Sequence, residues 1–249
     1  MNETIKLLQN HASIRAFKDE ELTEEQINTI VKSAQMAPTS SFLQAYSIIG
    51  IRNQEIKEKL SVLAGNQPYV AKNGHFFVFC ADFHRHTLGA ELENYNEPLA
   101  LDSTEKFLIG AVDATLAAQN AVIAAESLGL GTVYIGGIRS NIEEVSELLE
   151  LPKHVIPIVG VAVGFPDQDP GTKPRLPMEN VYHQDQYQQN NEILKIQLTS
   201  YNEIISEYYN DRTNGVRKDR WTEQTTRMLT SEKRVTLKNF LAQKGYLLK

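Results

Sequence analysis

The chain has a single cysteine, Cys80, in 249 residues, so no internal disulfide framework holds it together. Cys80 sits in the apolar run 75–81, where a thiol packs as a small hydrophobe, and we expect it to be buried and inert. A surplus of positive charge is also missing. The 25 Lys and Arg against 31 Asp and Glu give a net charge of -6, which offers no global attraction to nucleic acid or anionic lipid. Any anion binding must be local. The sequence carries no Cys/His metal cluster, Walker loop, G-x-S-x-G elbow or strand-then-G-x-G-x-x-G fingerprint, which argues against a metal centre, a P-loop and a Rossmann turn. Internal repeats and low-complexity tracts are absent. Residues 1–10 carry charges and lack a signal-peptide core, so we expect a cytoplasmic protein. One long apolar stretch, 107–130, is interrupted by Asp113, Gln119, Asn120 and Glu126, which is poor membrane chemistry. It reads as a central helix, apolar around most of its circumference, buried on several sides or shared between subunits.

With 41% apolar residues there is material for a sizeable core, and one domain, or one domain with an appendage, is the natural expectation. Thr23 followed by Gln26 makes a capping box, and Ile27, Ile30, Val31 and Ala34 recur at helical spacing until Pro38 stops the run. Residues 45–51 read as a short strand, 54–64 as a helix closed by Gly65, and 75–81 as a buried strand. After the central helix, 132–138 is a strand, Asn141 is expected to cap a helix to Leu149, and 155–163 is another β-branched strand. The segment 164–177 is a proline-rich structured loop, 192–210 a helix, and 235–243 a short amphipathic helix. The region after Pro177 is more polar than what precedes it and suggests an excursion around the core or onto a partner subunit.

Five motifs carry candidate chemistry. In 11–17, an extended segment would turn His11, Ser13 and Arg15 to one side while Ile14 and Phe17 pack inward; a phosphate or ribityl ligand suits that triplet, and so does a plain surface segment. Thr39-Ser40-Ser41 follows a helix stop and reads as ordinary turn chemistry or as a ligand loop. Tyr134-Ile135-Gly136-Gly137 lets a flat ligand approach the backbone, or simply makes a turn. Lys173 and Arg175, either side of Pro174, are stiffened cations, suited to a phosphate or to solvent. Finally, 211–220 gathers Arg212, Arg217, Lys218 and Arg220, a phosphate grip or a solvated charge run.

Taken in order, these strings stop being independent. Together with Gly65-Asn66-Gln67, Phe79-Cys80-Ala81-Asp82-Phe83, Ala118-Gln119-Asn120-Ala121, Ala124-Ala125-Glu126-Ser127-Leu128-Gly129 and Leu151-Pro152, the chain resembles the oxygen-insensitive NADPH nitroreductases and the related flavin reductase P enzymes nearly end to end. The resemblance implies an α+β nitroreductase-like fold, a mixed and mainly antiparallel sheet flanked by helices, in an interlocked homodimer with FMN at the interface. It implies a core over 1–177 and a C-terminal extension over 178–249 that completes the core, dimer and NADPH site. It assigns His11, Ser13, Lys173 and Arg175 to the FMN phosphate, Arg15 to the ribityl chain and pyrimidine edge, Ser40, Ser41 and Gln67 to flavin contacts, and Tyr134, Ile135, Gly136 and Gly137 to the isoalloxazine. Arg212 and Arg217 fall at the NADPH 2′-phosphate clamp. The chain departs from many relatives in having Ala12 where they carry a second basic residue. The implied reaction is ping-pong: NADPH reduces flavin N5, then a nitroaromatic, quinone or similar small acceptor is reduced, with no side chain as dedicated acid or base. Alternatives are a flavin reductase with free FMN as acceptor and a non-catalytic flavin-binding sensor. A nucleic-acid binder using 212–220 is disfavoured, because no aromatics interleave the cations.

Overall fold

The computed structural model describes residues 1–247 and resolves into two compact units, Met1–Pro170 with Arg234–Lys249, and Gly171–Lys233. In the first unit the helices are α1 (Glu3–Gln9), α2 (Glu24–Gln35), α3 (Gln54–Leu63), α4 (Pro68–Ala71), α5 (His84–Leu92), α6 (Thr104–Ser127), α7 (Ile142–Leu148) and, after the second unit, α10 (Leu237–Gln243). The strands are β1 (Tyr46–Ile51), β2 (His75–Asp82), β3 (Gly131–Ile135) and β4 (Val155–Gly164). They form one sheet in the order β1-β2-β4-β3 with every pairing antiparallel. Among the described residues the one parallel pairing is an isolated bridge from Ser13 to Thr132.

β2 is buried along its whole length, and its period-two alternation divides the core. Phe77 and Phe79 face α2 and α6, packing with Ile30, Ala34, Ala118 and Ala121. Phe76, Val78 and Cys80 face the opposite layer, with Leu60 of α3 and Val145 of α7. Cys80 is fully buried, and burial pushes its thiol pKa well up, in keeping with an inert packed side chain. Between Phe79 and Cys80 the β2–β4 register slips, leaving Ile158 of β4 without a partner across the ladder, next to Pro157, which has no N–H to give.

The Thr23–Gln26 capping box forms as predicted, and α2 runs to Gln35. The 24-residue α6 is long and apolar enough to cross a membrane by composition alone; here its alanine face seals the sheet and Asp113 is wholly inaccessible to solvent. Two expectations need correction. β3 ends at Ile135, and Gly136–Arg139 form one 3-10 turn, so the predicted strand to 138 is three residues too long. Asn141 takes the N-cap position of α7, but its side chain makes no capping bond; Nδ2 donates instead to Leu63 O of the facing helix at 2.7 Å. Helices α1, α4 and α5, and α9 of the second unit, are additional to the sequence reading.

The second unit contains a 3-10 turn at Met178–Asn180, α8 (Asn191–Arg212) and α9 (Trp221–Leu229). Its core is aromatic: Tyr201, Ile205 and Tyr209 of α8 pack with Tyr208, Leu176 and Trp221.

Candidate functional site

Residues 11–17 run extended beside β3, as their alternation predicts. Ile14 N donates to Thr132 O at 2.8 Å, and Phe17 bridges Pro166. Ile14 is buried against Gly131, where an added Cβ would stand 2.7 Å from Ile14 Cγ1. That glycine is what lets the segment lie against the strand. His11 is held by Glu126 of α6: Nδ1 and Glu126 Oε1 are 2.7 Å apart, and Thr132 Oγ1 donates to the same oxygen at 2.7 Å. With Nδ1 engaged, Nε2 is the ring nitrogen left to meet a ligand. Arg15 is exposed.

At the other end of β3, Tyr134 OH donates to Gln119 Oε1 at 3.0 Å, and burial, with the charge of Glu126, raises its pKa. The Gly136–Gly137 turn follows. A Cβ on Gly137 would fall 2.2 Å from both Ala64 O and Gln67 Nε2, so the glycine is required for Gln67 to reach this turn. Gln67 is itself pinned, donating to Ala64 O at 2.5 Å and accepting from Tyr69 OH at 2.5 Å. Two guanidinium groups flank the turn. Arg139 Nη1 donates to Ile158 O, the carbonyl at the β4 bulge, and Arg234 Nη2 donates to Gly136 O at 3.0 Å. Burial, then the charge of Arg234, lowers the pKa of Arg139. Arg234 Nε is buried without a partner among the described residues. A cavity of about 400 Å³, lined in part by Tyr134, Arg139, Ile156, Ile158 and Leu241, opens beside Arg139.

The 39–45 loop is neither strand nor helix beyond one 3-10 turn at Ser40–Phe42, and Ser41, Phe42 and Gln44 take φ of 47°, 60° and 52°. Left-handed backbone costs a non-glycine residue about 1 kcal/mol or more, so the loop must be over-determined by what surrounds it. Asp113 supplies part of that: Oδ1 accepts from Ser40 N and Oδ2 from Ala45 N, both at 3.0 Å. From α5, Arg85 donates to Gln44 O and Tyr46 O, and His86 Nε2 lies 2.9 Å from Leu43 O. Ser40, Ser41 and Phe42 are nevertheless exposed.

The structure thus gathers His11, Ser13, Tyr134, Ile135, Gly136, Gly137 and Gln67 along β3 and its ends. It does not bring Ser40 and Ser41 to them within the chain. Their anchor, Asp113, and the anchor of His11, Glu126, are thirteen residues apart on one helix, roughly 20 Å at 1.5 Å per residue.

Within the second unit, Lys173 Nζ donates to Tyr209 OH at 2.7 Å, and Arg217 lies over the same ring, Cζ 4.3 Å from its centroid. Burial pushes the Tyr209 phenol up, but Lys173, Arg217 and a hydrogen bond with Gln224 together outweigh it and leave its pKa below the ordinary value. Lys173 and Arg217, assigned by resemblance to different ligands, therefore meet on one aromatic. Arg175 Nη1 turns back to Lys173 O at 2.6 Å, and Tyr201 OH holds Pro174 O at 3.0 Å. Arg212 stacks on Tyr208 and donates to its hydroxyl, whereas Arg217 is paired with Asp219 at 2.6 Å. Among the described residues no group of three or more His, Cys, Asp or Glu is arranged to hold a metal.

Similarity to known proteins gives the family. Residues 8–165 match the Nitroreductase family, and residues 173–249 match the Nitroreductase family, C-terminal domain. The chain belongs to the nitroreductase family. It is 50% identical to the FMN reductase (NADPH) of Bacillus subtilis, over 99% of each chain. Its fold is similar to the structure of B. megaterium NfrA1, with TM-score 0.97, 56% identity, and 99% and 100% of the two chains covered. The NfrA1 nitroreductase from B. subtilis gives TM-score 0.97 at 49% identity, covering 99% of this chain and all of that one. For this nitroreductase-family chain, sequence reasoning missed four residues that shape the site. Asp113 and Glu126 were visible only as polar interruptions of an apolar helix, and that was the available signal. Arg139 carried none of its own, and Arg234, 98 positions from Gly136, is brought to it only by the fold.

Proposed function

We propose that this nitroreductase-family chain is an FMN-dependent oxidoreductase that takes hydride from NADPH and reduces nitroaromatics, quinones or related small acceptors, as an interlocked homodimer in the cytoplasm. The observation that carries the reading is the collection, along one short strand, of a carboxylate-held imidazole and a hydroxyl at one end and an obligate glycine turn with Gln67 at the other. A ligand with an anionic group at one end and a flat ring at the other suits that layout. The residues fit FMN: Gln67, wedged against Gly137, is held in place beside the turn, and Arg234, which donates to Gly136 O, keeps a buried Nε–H without a partner among the described residues.

His11 and Ser13 would hold the flavin phosphate, and Arg15 the ribityl chain and pyrimidine edge. Gln67 and residues 134–137 would line the ring. Lys173 and Arg175 are proposed as phosphate ligands, and Arg212 and Arg217 as the NADPH 2′-phosphate clamp, from the resemblance alone. Bound FMN supplies the hydride chemistry. The chain supplies position and charge: Arg139 and Arg234 favour a ligand edge that gains negative charge, by the same logic that preorganises donors where charge develops. No side chain is required to move a proton.

The dimer is supported by what one chain leaves open. Leu108, Val112 and Leu116 form an exposed i, i+4, i+8 stripe on α6, next to Pro38, Thr39 and Ser40. A second copy covering that stripe would bring its own Ser40 and Ser41 to a flavin held by His11. A dedicated flavin reductase, with free FMN as acceptor, is the second reading, favoured by the name of the Bacillus subtilis relative. Initial-rate kinetics with both nicotinamides across nitroaromatic, quinone and free FMN acceptors test the proposal. Parallel double-reciprocal lines and a preference for NADPH are expected; no turnover with any of these acceptors would refute it.

A further inference from the structure

We propose that Asp113 is a positioning residue of the flavin site, acting through the 39–45 loop; this rests on the reading that Ser40 and Ser41 meet FMN. Asp113 is wholly buried on the alanine-rich face of α6, where alanine would serve the helix better, and it makes no ion pair among the described residues. What compensates its desolvation is the loop itself. Its two oxygens take Ser40 N and Ala45 N, bracketing 41–44, three of whose residues hold left-handed backbone.

The loop is fixed but not hidden. Side chains from two helices take its backbone groups, Asp113 on one side and Arg85 and His86 on the other, while Ser40, Ser41, Phe42 and Gln44 stay exposed. Leu43 and Ala45 pack inward, but Ser40, Ser41, Phe42 and Gln44 gain no burial within the chain. The loop is preorganised for something that lands on it, so the ordering cost is met before the ligand arrives. The Asp113→Asn side chain keeps the shape but can accept only one of the two N–H groups, and its NH₂ faces the other.

The test uses the full-length protein, deflavinated and titrated with FMN, following flavin fluorescence quenching and the visible absorbance and circular dichroism of bound FMN. The Asp113→Asn variant is expected to raise the FMN Kd about tenfold or more, from one lost charge-assisted bond, and to move the bound-flavin spectrum toward that of free FMN. A lowered apoprotein Tm with wild-type Kd and spectrum would mean that Asp113 only stabilises the fold, and would overturn the proposal. If that variant does not fold, Arg85→Met carries the test, since Arg85 is largely exposed and donates to Gln44 O and Tyr46 O. A rise of about threefold is expected there, and no change would overturn the proposal. A Ser40→Ala/Ser41→Ala double variant separates the two ideas. Weakened FMN binding there, with none in Asp113→Asn, sinks the positioning role and leaves the FMN reading intact; a wild-type protein that takes up no FMN sinks both.

Discussion

Replacing Gly137 with alanine sets a methyl group 2.2 Å from Ala64 O and from Gln67 Nε2, whereas the same change at Gly136 meets only the end of the Arg139 guanidinium, at 3.4 Å. A carbon needs more than 3 Å from an oxygen, so at Gly137 something must move by about 1 Å, and one of the two obstacles is backbone. Overpacking of that kind costs roughly 2 kcal/mol. For a chain of this size that corresponds to a Tm lowered by roughly 4–8 °C. Gly136→Ala needs no backbone shift and should cost well under half as much. Gly89, inside α5 with nothing within 4 Å, is the control: alanine there should be neutral or raise stability by up to about 1 kcal/mol through helix propensity. Differential scanning fluorimetry and urea titration of the three variants make the comparison. Equal Tm values for Gly136→Ala and Gly137→Ala would refute the claim that Gln67 is wedged against this turn.

Glu126→Gln should loosen His11 by removing a part-buried charged acceptor worth about 1 kcal/mol, read as a roughly fivefold weaker FMN Kd with little change in the Michaelis constant for NADPH. Arg212→Ala should raise the Michaelis constant for NADPH severalfold and spare NADH; unchanged NADPH kinetics would contradict the clamp assignment. A pH effect follows from His75, nearly inaccessible on β2, with neither ring nitrogen partnered among the described residues. Burial, then the charges of Arg52 and Lys57, lower its pKa to about 4 against the opposing pull of Glu24. Between about 6.5 and 4 the unfolded chain binds a proton that the folded one refuses, so stability should fall as pH drops through that window and level off below it. The ceiling is roughly 3 kcal/mol. His75→Gln should flatten this part of the Tm-against-pH curve, and an unaltered curve would discredit the assignment.

The elements that were legible in the sequence are those whose signals are local. Thr23 and Gln26 cap α2 by themselves, and the unbroken apolar run of residues 75–81 follows from a strand buried on both faces. Residues 84–92, with His84, Arg85, His86 and Gly89, show no apolar stripe, and α5 buries no residue fully, so nothing in the pattern announces it. α9 is rich in threonine, which lowers helix propensity, and it is fastened by Trp221 against Tyr201, a contact across 20 positions. The paired glycines misled the reading of β3. They end the ladder because Gly137 must fit under Ala64 and Gln67, a constraint set by residues 70 positions away. In the candidate site, the 11–17 alternation was readable because an extended segment has a fixed period. The roles of Asp113 and Glu126 were not, because a polar residue within an apolar helix does not say which distant N–H or imidazole it will meet.

The proposed function stands or falls on whether the residues gathered along β3 bind one flavin mononucleotide. Purified full-length protein, titrated with FMN under argon, decides it by absorbance. The account expects a yellow protein with one FMN per chain, bleached by NADPH and recoloured by a quinone, and an Arg15→Ala variant with lower occupancy. A colourless protein that takes up no FMN would contradict it.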